Sequence, residues 1–347
     1  MRISAIGYAI FLIVALAVPM LGIYPVLAMQ LLCFAMFACA FNLLLGFAGM
    51  LSFGHAAFFG FAAYVTGWLV TAQQWDTVAS ILAGTFAAAL LGTVIGAIAI
   101  RRQGIYFAMI TLALGQLVYF VCLQAPFTGG ENGIQGVHRG TLLGLVSLRP
   151  DINMYYFVLA VFVAVFLLIR RIVHSPYGQV LKAIRENEPR AVSLGYEVDR
   201  YKLLAFALSA GIAGLAGSLK ALTLQLASLS DVLQATSGEV ILMTLLGGTG
   251  TFFGPVLGAF TVIALQNLLA DRVGSWVTVI IGGIFVVCVM GFRRGFVGEL
   301  LAWQQRRRGR AVKAQKPAST AREGTDAMAM AQAANYTAAK VGNKEDR

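Results

Sequence analysis

The chain has 347 residues, of which 59% are hydrophobic and only 12% charged, and its formal net charge is +11. Soluble domains carry about 25% charged residues, so this composition excludes one and indicates a polytopic, all-α membrane protein. The basic excess does not indicate nucleic-acid binding, because it collects in the C-terminal tail (Arg306, Arg307, Arg308, Arg310, Lys313, Lys316, Arg322, Lys340, Lys344 and Arg347) and beside apolar runs.

In chain order, apolar runs cover 5–23, 27–45, 53–72, 77–100, 104–123, 153–169, 203–224, 253–270 and 275–292. Each is near the roughly 20 residues that a helix needs to cross the hydrocarbon core, and no ten-residue alternation suggests a barrel. Ala15-Leu16-Ala17 resembles a signal-peptidase site, but a retained first span is expected, since the next run inserts in any case. The first interruption, GFAGMLSFGHAAFFG, carries Gly46, Gly49, Gly54 and Gly60. Glycine lets helices break, re-enter or approach closely, so this stretch reads either as part of a substrate path or as small-residue packing. His55, beside Gly54, reads as a hydrogen-bonded structural histidine or as a cavity group. Gly92-x-x-x-Gly96 reads as helix packing.

The 123–152 loop is nearly balanced in charge and is assigned to the external face, with Gly129, Gly130, Glu131 and Asn132 as a turn for an external partner or a plain connector. Residues 170–202 form the longest charged segment between spans, with seven basic and four acidic side chains, and are assigned to the cytoplasm. This loop carries two sets of cap signals. Ser175 and Pro176 open a helix with Val180, Leu181 and Ile184 at helical spacing, and a second short helix starts near Asn187-Pro189 and stops at Gly195. Two capped helices read as a docking surface for a soluble partner, with Val180, Leu181 and Ile184 inserted in its groove and Lys182 and Arg185 on the rim.

After the Gly211, Gly214, Gly217 ladder, a short segment Gly238–Gly248 leads into the second interruption, GGTGTFFGPVLG, with Gly248, Gly250 and Gly254. The Lys/Arg pattern places both termini inside, which requires an even number of crossings. The short segment is therefore expected as a tenth span, with eight spans plus a re-entrant piece as the competing count. Residues 1–295 form the membrane domain, and 296–347 read as a disordered basic cytoplasmic tail.

Catalytic and metal chemistry is missing from the pattern: there is no P-loop, no H-E-x-x-H, and Cys33, Cys39, Cys122 and Cys288 lack ligand spacing. The chain is not expected to be an enzyme or to hold a metal or cofactor. Intramembrane charge reads as scarce, with Glu239 the main candidate, so energy is expected to arrive from outside the spans. Asn42, Ser52, Gln116 and Tyr119 are the candidate lining of a path for a net-neutral solute.

Five segments, at 42–64, 102–120, 128–134, 175–217 and 247–259, carry a family resemblance. The chain resembles a membrane subunit of the branched-chain amino-acid importers of the ATP-binding-cassette class, and more narrowly the longer of that system's two permeases. The resemblance implies a bacterial inner-membrane protein working with a second related permease, two cytoplasmic ATPase subunits and a periplasmic binding protein. It also implies that 175–195 is the coupling region, including Val180, Leu181, Lys182, Ile184, Arg185, Glu186, Ala191 and Gly195. In the coupling signature E-A-A-x-x-x-G, Ala191 and Gly195 match, while Pro189 and Arg190 stand at the first two positions. The competing readings are a self-contained channel or secondary carrier, or a related permease for urea or aromatic acids.

Overall fold

The structure is a computed structural model and describes residues 24–142 and 146–273, with positions 15, 16, 19, 279, 280, 282 and 283 beside them. The runs at 5–23 and 275–292 lie almost wholly outside the described residues, as do the tail at 296–347 and Cys288.

Ten α-helices follow one another in the described residues. They are α1 (Pro25–Asn42), α2 (His55–Thr71), α3 (Thr77–Ala99), α4 (Ile105–Gln124), α5 (Asp151–His174), α6 (Pro176–Glu186), α7 (Glu188–Ser193), α8 (Val198–Leu224), α9 (Gln234–Gly247) and α10 (Gly254–Val273). Among the described residues, five segments are long and apolar enough to cross a membrane: α1 extended to Ala48, α3, α4, α5 and α8. The chain is a multi-pass helical membrane protein. The expected tenth span is shorter than a crossing: α9 has 14 residues, about 21 Å, against a core of about 30 Å, and it stops at Gly248 with φ 108°.

Helix α8 is the centre of the bundle, packed against α1, α2 and α3. Lipid gives apolar helices no hydrophobic reason to associate, so close approach and polar bridges must hold them together. Both are present. A Cβ at Gly217 would strike the Phe59 backbone, and one at Gly92 would strike the Ala210 side chain, so the glycine ladders act in packing. Between the same helices, the Thr66 hydroxyl donates to Ser218 Oγ at 2.8 Å. His55 Nε2 lies 2.9 Å from Ser209 Oγ, whose own proton goes to the Ala40 carbonyl, so the imidazole is the donor. Phe37, Phe41, Phe58 and Phe206 surround that ring, and His55 is a buried, hydrogen-bonded structural group.

On the side of the bundle away from α6 and α7, the 125–150 connection folds into turns and two antiparallel two-residue pairs. Ile134 and Gln135 pair with Ala227 and Leu226, and Thr141 and Leu142 pair with Ser147 and Val146. Arg139 of this connection is buried. It donates to the last carbonyls of α8, at 3.1 Å from Leu222 O and 2.6 Å from Thr223 O, and it pairs with Asp151. A cation on a helix C-terminus satisfies carbonyls that have no partner within the helix. Gly129, Glu131 and Asn132 remain exposed on this face, with Gly130 half-buried between them.

Candidate functional site

The two glycine interruptions meet. The last turn of α1 widens into a π-helix over Leu43–Ala48 and ends at Gly49, whose φ is 75°. Asn42, 3% exposed at the start of this turn, spends its whole amide on the second interruption: Nδ2 donates to Thr251 O at 2.9 Å, and Oδ1 accepts from Gly250 N at 2.9 Å. A Cβ on Gly46 would come within 2.6 Å of Gly250 N, so only glycine allows this approach. Gly250 itself has φ 74°.

The cytoplasm-assigned loop reaches this junction directly. Helix α6 begins as expected, with Ser175 accepting from Gly178 N at 3.3 Å and Pro176 in the first turn. Helix α7 follows with Asn187 Oδ1 accepting from Arg190 N at 3.1 Å, and Gly195 closes the loop with φ 85°. From α6, Arg185 Nη1 donates to the Gly46 carbonyl, freed by the widened turn, and its side chain packs over Gly49. Lys182 Nζ stands 5.9 Å from the Phe47 ring. Phe47 lies 5.5 Å from Phe252 of the glycine loop, and Phe252 stacks on His174 at 5.2 Å. Loop, π-turn, glycine loop and the end of α5 are one contact network.

Beside this junction lies a cavity of about 660 Å³, walled by Met50, Phe53, Phe107, Ile184, Arg102 and Lys202. Glu188 Oε1 accepts from Gln103 Nε2 at 2.7 Å and Lys202 Nζ at 2.6 Å, tying the α3–α4 turn and α8 to α7. The Tyr177 phenol donates to Tyr201 O at 2.9 Å; burial, with Tyr201 beside it, pushes its pKa above the ordinary tyrosine range, so it stays a neutral donor.

The apolar face of α6 corrects one expectation. Leu181 and Ile184 are 1% and 3% exposed and turn inward: Leu181 joins the main core, and Ile184 packs with Ala191 and Val198, with Val180 against them. Leu181 and Ile184 hold the loop to its own bundle and are not free to fill a partner's groove, whereas Val180 is half-buried. The surface that a partner can reach carries Glu186 and Arg190 with two apolar projections, Val192 and Leu194 at 57% and 70% exposure. Sequence periodicity finds an apolar face but does not say which body it meets.

Of the remaining candidates, Ser52 is fully buried, and its hydroxyl has no partner among the described residues. Gln116 and Tyr119 lie half-buried on α4, away from Asn42. Gly54 caps α2 against Thr111 and Gly115, Gly60 faces the Asp231–Val232 backbone, and Gly254 opens α10 with its N–H on Thr251 Oγ1 at 3.1 Å. Among the described residues, no group of His, Cys, Asp or Glu could hold a metal ion.

One buried charged cluster leaves only a faint mark in the sequence. Lys220 and Asp231, 7% and 3% exposed, form an ion pair within the bundle near the end of α8. The lone lysine in the 203–224 apolar run was its signal. Intramembrane charge is therefore less scarce than the sequence reading held.

Comparison with known proteins follows the same lines. Over 282 residues, 74% of this chain, it is 29% identical to the high-affinity branched-chain amino acid transport system permease protein LivM of Escherichia coli, covering 65% of that protein. It is 28% identical over 188 residues to the probable branched-chain amino acid transport permease protein LivM of Methanocaldococcus jannaschii, covering 52% of this chain and 54% of that one. To the autoinducer 2 import system permease protein LsrC of Klebsiella pneumoniae it is 26% identical over 215 residues, 58% and 60% of the two chains. The chain thus spans just under two thirds of the length of the first of these relatives. No solved structure matches it. The family described as branched-chain amino acid transport system / permease component matches residues 24–290, and the chain belongs to that family.

Proposed function

We propose that this chain is the membrane-spanning permease subunit of an ATP-binding-cassette importer, that it carries branched-chain amino acids, and that it is not itself an enzyme. The carrying observation is the direct line from the charged loop to the membrane interruption, in which Arg185 of α6 holds the Gly46 carbonyl of the π-turn that Asn42 locks to Gly250. An ATPase subunit that moves α6 and α7 would pull on the broken helices without needing an ion-coupled step. In this reading the ATPase contacts Glu186, Arg190, Val192 and Leu194, while Ala191 and Gly195 shape the loop. Both termini are cytoplasmic, and about ten spans lie in a bacterial inner membrane. A second related permease completes the path, two ATPase subunits drive it, and a periplasmic binding protein docks at Gly129, Gly130, Glu131 and Asn132.

A second reading keeps the permease and changes the cargo, and the similarity to a permease named for autoinducer 2 import supports it. Reconstituted vesicles with the partner subunits, the binding protein and internal ATP test both readings. ATP-driven uptake of leucine that survives collapse of the ion gradients is expected. Uptake of urea or an aromatic acid with none of leucine overturns the cargo. Uptake that needs an ion gradient and no ATP overturns the importer.

A further inference from the structure

The Lys220–Asp231 cluster has more polar groups than it can satisfy by itself. Lys220 lies on α8 one turn before its end, 22 residues and about 33 Å along the helix from Val198. Asp231 sits in the turn Leu229–Asp231, which presses on α2 at Gly60: a Cβ there would meet the Asp231 carbonyl carbon at 2.8 Å and Val232 N at 2.7 Å. The turn is thereby inserted into the bundle. The Lys220 ammonium pairs with Asp231 Oδ1 and stands 5.9 Å from the centroids of both Phe34 and Phe59.

Two buried polar atoms at this pair have no hydrogen-bond partner among the described residues: Asp231 Oδ2 in the turn and the Tyr64 hydroxyl on α2, whereas the Thr223 hydroxyl meets the Cys33 thiol. Glu239 of α9, held by Gln266 Nε2 at 3.3 Å, lies within electrostatic reach of both Lys220 and Asp231. Tyr64 stands one turn beyond Gly60 on α2, the position against which the Asp231 turn presses. A purely structural ion pair has no use for unpaired donors and acceptors beside it, because each one buried without a partner works against folding.

We propose that Lys220 and Asp231, with Tyr64 and Glu239, form a recognition site within the permease for an amphoteric solute carrying a carboxylate and an ammonium group. The inference rests on the importer reading and deepens it. Lys220 takes the carboxylate, and Asp231 and Glu239 take the ammonium. The Tyr64 hydroxyl completes the shell, and the Phe34 and Phe59 faces border it. A zwitterion presents the same two charges as the pair in the opposite sense. It can replace each partner in turn without leaving an uncompensated charge in the low-dielectric interior. An uncharged solute cannot make that exchange.

The test uses the complete importer with its binding protein, in vesicles with internal ATP, and the variants Tyr64→Phe and Lys220→Met with Asp231→Asn together. Tyr64→Phe deletes a hydroxyl that no described residue holds, so folding is expected to survive, and a structural role predicts unchanged uptake. The proposal predicts at least a tenfold rise in the leucine concentration for half-maximal uptake. The double variant removes the charges as a pair and is expected to assemble, keep ATP hydrolysis stimulated by the loaded binding protein, and lose leucine uptake at least tenfold. Parental uptake in either variant overturns the proposal. If the double variant does not assemble, Tyr64→Phe alone decides. A parent importer that moves no leucine defeats the importer's cargo assignment, a result distinct from a working parent with indifferent variants.

Discussion

Replacing Asn42 by alanine cuts the lock between the two interruptions. Two hydrogen bonds at 2.9 Å are lost, and the Gly250 N–H and Thr251 carbonyl are left without their partner. Interhelical hydrogen bonds in membrane bundles contribute about 0.6 kcal/mol on average and up to about 2 kcal/mol. Two of them give roughly 1–4 kcal/mol, and the stranded backbone groups add to the effect. A loss of about 2 kcal/mol lowers the folded-to-unfolded ratio by about 30-fold. Asn42→Asp is the control that separates this lock from simple loss of volume. It keeps the acceptor for Gly250 N but sets a carboxylate against the Thr251 carbonyl oxygen in a buried place, so it should destabilise more than alanine. Denaturant midpoints of the purified permease in mixed lipid–detergent micelles read both changes, with uptake as the functional readout. An alanine variant as stable as the parent, or an aspartate variant more stable than the alanine one, would refute the lock.

Gly250→Ala should cost about 1–2 kcal/mol, because φ is 74° there and the new Cβ lies 3.3 Å from Gly46 O and 3.4 Å from Arg185 Nη1; an unchanged denaturation midpoint would contradict it. Ile184→Asp and Leu194→Asp should separate two roles within one loop. The first buries a charge against Ala191 and Val198 and lowers the yield of folded permease, whereas the second leaves folding intact and weakens capture of the ATPase subunit at least tenfold in a pull-down. Equal behaviour of the two variants would remove the assignment of inner and outer faces.

Much of this architecture is legible in the residues, because membrane segments must carry their own hydrogen bonds and so advertise themselves by length and apolarity. Seven of the nine apolar runs reappear as α1–α5, α8 and α10, and the caps at Ser175 and Asn187 stand where the cap chemistry puts them. What the sequence does not carry is which surface meets which. Asn42 looks the same whether it lines a path or grips another helix, and its partner is more than 200 residues away. Leu181 and Ile184 are amphipathic in either orientation, and only the tertiary fold turns them inward. Lys220 and Asp231, 11 residues apart, are joined by a fold-back whose inward course depends on Gly60. Their types are visible in sequence, but their meeting is not.

The central claim is that the loop drives the membrane interruption through Arg185. The most direct measurement is the number of leucine molecules taken up per ATP hydrolysed by reconstituted importers carrying Arg185→Ala, compared with the parent. Deleting the guanidinium frees the Gly46 carbonyl while Leu181 and Ile184 still hold α6 in place. ATP hydrolysis should persist while uptake falls, so the ratio should drop at least fivefold. An unchanged ratio, with assembly and hydrolysis at parental levels, would contradict the account.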